Sequence, residues 1–328
     1  MLYFCALFSS RVRIRPNVIK AFAPATVANL GVGFDVLGLA LDNPGDSIIA
    51  EFTDRPGVTI AAIDGDGGKL PREAHKNTAG VAALSVLRAL NSDQGVALTI
   101  HKGIAAAGGL GSSAASAVGA AVAVNLLLGE PLTKAELLPA CLDGEAIASG
   151  YHPDNVAPCL FGGLTLAYGI EAHQIQPLPV PQGLSLALVT PHVEVPTAKA
   201  RAVLPQEIPL KSMVKQTAAV ARLIRAIYEG DLESMAAAME SDCVIEPARA
   251  HLMPMLFEAR RAAKAAGAFG LVISGAGPTL CAICASRETA QRVVSALNAV
   301  YQEVGIGCTT RTALVTTEGA SALAYDRL

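Results

Sequence analysis

A glycine- and serine-rich segment, residues 108–116, offers the clearest chemistry in this chain. It reads Gly-Gly-Leu-Gly-Ser-Ser-Ala-Ala-Ser and continues into a run of helix-forming residues that ends near Leu128. A helix that begins after a glycine turn leaves backbone N–H groups without partners at its positive end, so the segment is typical of an anion cradle. Ser112 and Ser113 fall where first-turn hydroxyls donate to a phosphate oxygen or hold a metal ion.

Two other interpretations of this segment compete with phosphate binding. No charged residue lies between Lys102 and Glu130, so a membrane helix must be considered. The glycine-rich beginning is a poor helix, however, and the clearly helical part is shorter than the roughly 20 residues that a bilayer requires. We therefore expect a buried core helix, whose N-terminus is either a phosphate site or only a packed helix end.

Two further clusters of polar residues have types and spacings suited to a site. Residues 24–38 form a glycine-containing loop that presents Asn29 and Asp35, although an ordinary hairpin turn with capping residues explains the same pattern. Residues 144–158 place Glu145 in helical sequence and His152, with Asp154 and Asn155, on a loop bounded by glycine and proline. This second cluster indicates metal or substrate contacts, or a capped loop with one surface histidine.

The elements around these clusters alternate between helices and strands, without the regular period of a doubly wound parallel sheet. We predict an α+β chain of two domains with mixed or antiparallel sheets, divided at the prolines near residue 177 into residues 18–175 and 176–328. The predicted strands cover residues 18–23, 46–53, 58–63, 95–101, 161–168, 184–190, 271–274, 279–285 and 309–316. The predicted helices cover residues 77–91, 114–128, 133–150, 214–229, 232–239, 253–266 and 288–303.

Composition excludes several functional classes. Apolar residues make up 52% of the 328 residues and charged residues 16%, which is typical of an ordered chain with a large core. The net charge of −3 and the absence of tryptophan give no support for nucleic-acid binding. The seven cysteines are scattered, and Cys281 and Cys284 lie in an apolar, strand-like run, so buried thiols are favoured over zinc or redox chemistry. The first 17 residues are interpreted as an extension, and the location as cytoplasmic with no membrane partner.

Three motifs together resemble those of the homoserine kinases in the GHMP kinase superfamily. They are PATVANLGVGFDVLG (24–38), GGLGSSAAS (108–116) and SGAGPTLCAI (274–283), in that order and across nearly the whole chain. The runs His152–Pro158 and Pro196–Pro205 narrow the resemblance from the superfamily to homoserine kinases. The chain differs from the usual family pattern at Ala105 and Ala107, where the family has a proline and a glycine. No P-loop, dinucleotide-binding or nucleophile-elbow motif is present.

The resemblance implies a two-domain GHMP kinase fold, with an N-terminal domain like ribosomal protein S5 domain 2 and a ferredoxin-like C-terminal domain. It also implies ATP and Mg²⁺ as cofactors, L-homoserine as substrate, no nucleic-acid partner, and a homodimer. The reaction implied is transfer of the ATP γ-phosphoryl group to the homoserine hydroxyl in threonine biosynthesis. Another small alcohol as acceptor, or an inactive ligand-binding relative, stays open at this point.

The resemblance also implies roles for individual residues. Arg201 and Arg249 would clamp the substrate carboxylate with His152 nearby, although Arg249 pairing with Glu246 on a surface is an alternative. Asn29 and Asp35 would contact the ammonium and hydroxyl of the substrate. Mg²⁺ would be bound by Glu145, Ser112 and Ser113, and adenosine would be contacted by Asn77 and Thr78. The ATP phosphates would be contacted by Lys102, Gly108, Gly109, Leu110, Gly111, Ser112, Ser113 and Ala114.

No aspartate stands at the position where some relatives carry a base, and Thr197 occupies it. Because the phosphoryl-transfer transition state is loose, we hypothesise catalysis without a dedicated base, with charge neutralised by Mg²⁺ on Glu145 and with Thr197 near the γ-phosphate. Asp35 is the alternative base.

Overall fold

Two β-sheets with helices packed against them form the frame of residues 17–324, the part of the chain that the computed structural model describes. The predicted N-terminal extension lies outside the described residues, apart from Asn17. The strands are β1 (Val18–Ala28), β2 (Leu37–Thr53), β3 (Gly57–Asp64), β4 (Gly95–His101), β5 (Leu164–Ala167), β6 (Ile175–Leu178), β7 (Ser185–Pro191), β8 (Gly270–Ile273), β9 (Leu280–Cys284), β10 (Cys308–Leu314) and β11 (Ser321–Leu323). The helices are α1 (Thr78–Ala89), α2 (Ser112–Leu127), α3 (Lys134–Ala146), α4 (Pro153–Phe161), α5 (Thr197–Ala202), α6 (Leu210–Glu229), α7 (Leu232–Met239), α8 (Ile245–Arg249), α9 (Leu256–Ala265) and α10 (Arg287–Glu303).

The first sheet is mixed and the second is antiparallel. The first has the order β11-β1-β2-β4-β3, with β5 paired to β2 and β6 paired to β5, and only β3 and β4 run parallel. The second has the order β10-β7-β9-β8, in which every neighbouring pair is antiparallel, and α9 and α10 pack on it. In chain order the second sheet is 4-1-3-2, as in a ferredoxin-like fold. The predicted α+β class is confirmed.

The sheets divide the chain slightly later than the predicted boundary between residues 175 and 176. Strand β6 extends to Leu178 and still belongs to the first sheet, because it pairs with β5. Near the end of the chain, β11 returns to the first sheet and pairs with β1. The first unit therefore takes residues from both halves of the sequence, which a single cut in the chain cannot represent.

Helix α2 is the core helix that the sequence predicts. It is buried along almost its whole length, because its alanines and its one glycine let it approach β1 and β2 closely. At Gly119 an added Cβ would lie 2.7 Å from Ile48 Cγ1, closer than side chains pack. Among residues 17–324 no helix is long and apolar enough to cross a membrane.

Two short helices, α4 and α5, are absent from the predicted elements and carry candidate site residues. His152 is the N-cap of α4, and the two residues after it, Pro153 and Asp154, are already helical. The reason is that proline at the first helical position supplies a preset φ and lacks only an N–H that would be unpaired there. The predicted loop at 152–155 is therefore wrong. Thr197 and Arg201 lie one turn apart on α5.

Removal of the capping box at the start of α3 should destabilise the fold. Thr133 Oγ1 accepts the Glu136 N–H at 3.3 Å, and Glu136 Oε2 accepts the Thr133 N–H at 2.8 Å, as the sequence predicts. We expect Thr133→Ala to lower the free energy of unfolding by about 1 kcal/mol, measured by urea denaturation. Thr133→Ser keeps the hydroxyl and should lose much less, so equal losses in the two variants would contradict the capping role.

Candidate active site

A cavity of about 270 Å³ lies between the two sheets and brings most of the predicted site residues together. Its walls combine the N-terminus of α2 and the ends of α3 and α4 with α5 and α8. The predicted residues in its walls are Asn29, Asp35, Thr78, Lys102, Gly108, Gly109, Gly111, Ser112, Ser113, Glu145, His152, Thr197, Arg201 and Arg249. Three predicted residues, Asn77, Leu110 and Ala114, are not in its walls.

The glycine turn before α2 has the geometry of an anion cradle. Gly111 is the N-cap residue, with a left-handed φ of 65°, and no side chain caps the helix. A Cβ at Gly111 would lie 2.1 Å from Thr26 Oγ1, so only glycine fits there. Leu110 is buried, and its carbonyl accepts the Thr26 N–H at 3.1 Å, which anchors the turn to β1. The first-turn N–H groups, including that of Ala114, have no intrahelical acceptor.

The third motif holds the glycine turn from the other side of the cavity. Ser274 Oγ donates to the Gly109 carbonyl at 2.6 Å, and the Thr279 N–H donates to the Gly108 carbonyl at 3.3 Å. Gly109 has a φ of +82°, and a Cβ there would lie 2.8 Å from the carbonyl oxygens of Ser274 and Gly277. The carbonyls of the turn therefore face the second unit, which leaves the helix end open to the cavity.

Lys102 is placed differently from its predicted role as a phosphate contact. Its side chain is 2% exposed, and its ammonium pairs with Asp46 and donates to the Ser112 carbonyl at 2.9 Å and to Ser116 Oγ at 2.7 Å. Three protein acceptors engage the three N–H donors of a lysine ammonium, so none is left for a phosphate oxygen. Burial lowers the pKa of Lys102, while the Asp46 carboxylate acts in the opposite direction. The geometry indicates that Lys102 holds the first turn of α2 in place.

Asn77 is also placed differently from its predicted adenosine contact. Its Oδ1 caps α1 by accepting the N–H groups of Ala79 at 3.0 Å and Gly80 at 3.3 Å, and its Nδ2 donates to the Pro71 carbonyl at 2.8 Å. Because both ends of the amide are engaged, Asn77 positions its neighbour Thr78, which does line the cavity.

Glu145 presents a buried carboxylate oxygen with no hydrogen-bond partner among the residues that the structure describes. Its Oε1 accepts the hydroxyls of Ser113 at 2.9 Å and Ser149, whereas Oε2 has no partner, and the residue is 3% exposed. Burial raises the pKa of Glu145 to about 7. Ser112 Oγ donates to the Ile104 carbonyl at 3.1 Å and keeps its lone pairs. These hard oxygen donors fit Mg²⁺, which takes few protein ligands and keeps waters and phosphate oxygens.

Asp35, Arg201 and His152 form a charged group on the opposite wall. Both carboxylate oxygens of Asp35 accept from Arg201, at 3.0 and 2.7 Å, and His152 Nδ1 lies 3.6 Å from Asp35 Oδ2. The Asp35 N–H donates to Asn29 Oδ1 at 3.1 Å, which fixes the loop before β2. Burial lowers the pKa of His152, which favours the neutral imidazole.

Arg249 is a buried cation that faces the same cavity. It is 2% exposed; its Nε donates to the Ala200 carbonyl at 3.0 Å, and its Nη1 donates to the Gly275 carbonyl at 3.1 Å. No carboxylate of residues 17–324 lies within salt-bridge distance of it. Its guanidinium carbon lies 5.1 Å from the centre of the Phe34 ring, and that of Arg201 lies 5.4 Å from it. Phe34 therefore supports both arginines through cation–π contacts.

The surface pairing of Arg249 with Glu246 is wrong. Glu246 pairs with Arg260 instead, because the last turn of α8 points its arginine inward toward the cavity. Burial lowers the pKa of Arg249, and the nearby Arg201 cation adds to that effect. A guanidinium in this state gains from an anionic ligand.

Asp154 and Asn155 also lie in the wall, although neither of them has an individual role in the sequence-based prediction. Burial raises the pKa of Asp154 to about 7, and the neighbouring carboxylates of Asp35 and Glu145 add to that shift. Asn155 Oδ1 accepts the Thr26 hydroxyl at 2.6 Å. The sequence signal for them is their place in the polar cluster at residues 144–158, two and three residues after His152.

A hydrogen-bonded pair outside the cavity, Gln216 and Asp242, holds two of its walls. Gln216 Nε2 donates to the Val32 carbonyl at 3.2 Å and to Asp242 Oδ1 at 3.0 Å. The Asp242 carboxylate accepts backbone N–H groups at the start of α8 at 2.7–3.0 Å. The pair thus links the loop that carries Asp35 to the helix that carries Arg249. No local pattern marks it, because its members lie on separate elements.

With this geometry in view, comparison with known sequences gives a consistent result. Two family models match the chain, "GHMP kinases N terminal domain" over residues 77–163 and "GHMP kinases C terminal" over residues 223–303. A homoserine kinase of Chloroherpeton thalassium is 39% identical over 297 residues, which cover 87% of this chain and 93% of the relative. A homoserine kinase of Arabidopsis thaliana is 43% identical over 293 residues, which cover 88% of this chain and 79% of the relative.

Solved structures show the same similarity. The crystal structure of a homoserine kinase from Cytophaga hutchinsonii superposes with a TM-score of 0.90 at 39% identity, covering 98% of this chain and 100% of that one. A mevalonate kinase from L. major superposes with a TM-score of 0.70 at 19% identity, covering 90% of this chain and 96% of that one, which reflects the fold alone. The predicted fold family is confirmed.

The buried carboxyl of Glu145 should make stability depend on pH. Its pKa is raised from 4.5 to about 7 on folding, so between these values the folded chain binds more protons than the unfolded chain. Stability is therefore lost as the pH rises through this window, by about 3 kcal/mol in total for this group. We would measure the free energy of unfolding of Glu145→Gln and of the wild type by urea titrations without metal. We expect the difference, variant minus wild type, to increase by this amount between pH 4.5 and pH 8.

The matched control for this titration is Glu130→Gln, which changes an exposed carboxyl to an amide. Its difference from the wild type measures the effect of replacing a carboxyl by an amide on the surface. A flat difference for Glu145→Gln would contradict the raised pKa.

Proposed function

Since the chain belongs to the homoserine kinase family of the GHMP kinases, we propose that it transfers the γ-phosphoryl group of ATP to the side-chain hydroxyl of L-homoserine. The products are ADP and O-phospho-L-homoserine. The observation that carries the assignment of the site is the single cavity in which an uncapped helix N-terminus, an unpaired buried carboxylate oxygen and a buried arginine without a carboxylate partner meet. These three groups match a triphosphate, a metal ion and an amino-acid carboxylate.

The charged wall suits a zwitterionic amino acid. Arg249 offers a guanidinium to a carboxylate, and Arg201 adds a second one across the Phe34 ring. The Asp35 carboxylate, which accepts from Arg201 in this structure, is the acceptor for the substrate ammonium. Substrate binding then exchanges one internal ion pair for two, because both charges of the substrate find an opposite charge. Asn29 and His152 also line the cavity in which the substrate would bind.

The hydroxyl of the substrate would lie between this wall and the helix end. Asn155 has its Oδ1 engaged by Thr26, and we assign its amide N–H groups to a substrate oxygen. Thr197, at the first position of α5, lies in the cavity wall, and we assign it to the γ-phosphate. With the acceptor and the phosphate held in one cavity, positioning carries much of the rate.

The nucleotide phosphates would lie at the N-terminus of α2. The backbone N–H groups of Gly111, Ser112, Ser113 and Ala114 are assigned to phosphate oxygens, and Thr78 to the nucleoside. Mg²⁺ would be held by Glu145 Oε2 with the hydroxyl of Ser113 or Ser112. When bound, the ion neutralises charge on the phosphate oxygens. Lys102 and Asn77 support this wall from behind rather than touch the ligand.

The direct test is homoserine-dependent release of ADP in the presence of ATP and Mg²⁺. We expect turnover with L-homoserine and at least 100-fold lower kcat/KM with mevalonate, shikimate or galactose, because a carboxylate–ammonium pair is absent from them. Highest activity on another alcohol would favour the alternative that only the acceptor differs. ATP binding without turnover on any acceptor would favour an inactive ligand-binding relative.

Arg249 should control homoserine binding and not ATP binding. We expect Arg249→Lys to raise the KM for homoserine about 100-fold, because one ammonium cannot replace the bidentate guanidinium donors at a buried position, while the KM for ATP changes less than threefold. The measurement is a kinetic titration of each substrate. Arg260→Lys, a change at the arginine that pairs with Glu246 outside the cavity, is the matched control. Equal effects on both KM values would contradict the assignment.

The pH dependence of kcat tests catalysis without a base. If positioning and charge neutralisation suffice, Thr197→Ala should lower kcat about tenfold and Asp35→Asn should chiefly raise the KM for homoserine. A kcat that falls tenfold per unit below pH 7 in the wild type, and becomes flat in Asp154→Asn, would instead identify Asp154 as the base. Loss of that slope in Asp35→Asn would identify Asp35.

The homodimer and the cytoplasmic location stay predictions. Sedimentation equilibrium of the full chain tests the first, and fractionation of the source cells tests the second.

A further inference from the structure

The side-chain amide of Gln216, on α6, is engaged at both ends by two other parts of the chain. Its Nε2 donates to the Val32 carbonyl at 3.2 Å and to Asp242 Oδ1 at 3.0 Å. Its Oε1 accepts the backbone N–H of Cys243 at 3.2 Å. Gln216 is not in the wall of the active cavity, so it acts on that cavity only through the residues that it holds.

The first part that Gln216 holds is the loop between β1 and β2, whose backbone is strained. Asn29, Leu30 and Asp35 have φ values of 72°, 46° and 60°, in the left-handed region that residues other than glycine rarely adopt. Such residues cost free energy and persist where the surrounding contacts hold them. Val32 is 2% exposed and lies inside this loop, so the bond from Gln216 is one of the contacts that keep Asp35 in place.

The second part that Gln216 holds is the beginning of α8. The Asp242 carboxylate accepts the backbone N–H groups of residues 244–246 at 2.7–3.0 Å. Helix α8 has only five residues, too few to be stable by helix propensity alone, so these bonds decide where it begins. Arg249 is its last residue, and the position of Asp242 therefore sets the place at which the guanidinium enters the cavity.

The same two parts of the chain also meet inside the cavity, at the Phe34 ring. Phe34 lies two residues after Val32, and the guanidinium carbon of Arg249 lies 5.1 Å from the centre of its ring. Gln216 joins the loop and the helix from behind, and Phe34 contacts the arginine from the front. Two contacts on opposite sides leave little freedom for the loop and the helix to move relative to each other.

We propose that Gln216 is a positioning residue that sets the separation between Asp35 and Arg249, and thereby selects an acceptor alcohol that carries an ammonium and a carboxylate on one carbon. In the proposed function, on which this role rests, Asp35 takes the substrate ammonium and Arg249 takes the carboxylate. These charges have a fixed spacing in an α-amino acid, so both bind at once only when the two walls match it. Walls that are held in advance need not be ordered by the substrate.

Hydrogen exchange of the full-length protein without ligand tests the link between the two walls. Gln216→Met keeps the length of the side chain and its helix propensity but has no amide. We expect exchange at least fivefold faster in the segments 29–37 and 242–249, measured by mass spectrometry, because each loses an anchor. Gln291→Met, the same change at an exposed glutamine on α10, is the matched control and should alter neither segment.

Two further variants separate the link from the stability of α8. Gln216→Glu keeps an oxygen for the Cys243 N–H but loses both donors, so it should give the same pattern as Gln216→Met. Asp242→Asn keeps the Oδ1 that accepts from Gln216 and loses the Oδ2 that accepts the Glu246 N–H. We expect it to speed exchange in the segment 242–249 only.

Three ligands test the selection of the substrate. L-Homoserine carries both charges, 4-hydroxybutyrate lacks the ammonium, and 3-amino-1-propanol lacks the carboxylate. We would titrate each by NMR in the presence of Mg²⁺ and a nonhydrolysable ATP analogue. We expect Gln216→Met to weaken homoserine about tenfold and each single-charge ligand less than twofold, because only homoserine needs both walls at once.

The positioning role is overturned if Gln216→Met speeds exchange in one segment only or in neither. It is also overturned if the three ligands lose affinity equally, which is the result of a general loss of structure. A wild type that binds no homoserine would overturn the proposed function and the selection argued from it, whereas faster exchange in both segments would still uphold the link between the walls. None of these measurements needs turnover.

Discussion

The contact between the glycine turn and the third motif is the constraint on which the rest of this structure depends. The carbonyl oxygens of Gly108 and Gly109 accept hydrogen bonds from Thr279 and Ser274. The turn lies in the part of the chain that forms the first sheet, but residues next to strands of the second sheet hold it in place. With its carbonyls engaged there, the turn directs the N–H groups of α2 into the space between the sheets. The same packing brings α5 and α8, which carry the arginines, to the opposite wall of that space.

Several charged groups around this space are only partly paired within the described residues, and their chemistry indicates which ligands would bind there. Within residues 17–324, Glu145 Oε2 and Arg201 Nε are buried without partners, and Arg249 is a buried cation that is bonded only to carbonyl oxygens. Each group costs stability in the free chain, because desolvation is compensated only in part. In the proposed function, a metal ion and a zwitterion would supply the missing partners. Lys102 and Asp46 contrast with them, since their buried pair is complete within the protein and contributes rigidity under the helix.

Prediction of the fold from the sequence succeeded where local signals are strong. The capping box at Thr133, the strand at 95–101 and the core helix after Gly111 are present at nearly the predicted residues, because capping geometry and hydrophobic periodicity act over a few neighbours. The buried thiols of Cys281 and Cys284 in β9 are confirmed for the same reason. Helix α4 was missed because glycine and two prolines resemble a loop until Pro153 is recognised as a first helical residue. The return of β11 to β1 was missed because pairing between distant strands leaves no local trace.

The sequence by itself determined the types of the functional residues and the family to which their motifs point, because glycine turns, hydroxyls and arginines at fixed spacings have few chemical uses. Only the tertiary structure decided which of them face a ligand. Asn77 and Lys102 turn their polar atoms into caps and a buried ion pair, whereas Arg249 turns away from its helical neighbour Glu246 toward the cavity. The physical reason is that a polar side chain takes the partners that folding brings within hydrogen-bond distance. Those partners lie 2 to 6 residues away along the chain for Asn77, but 10 to 56 residues away for Lys102 and 26 to 49 for Arg249.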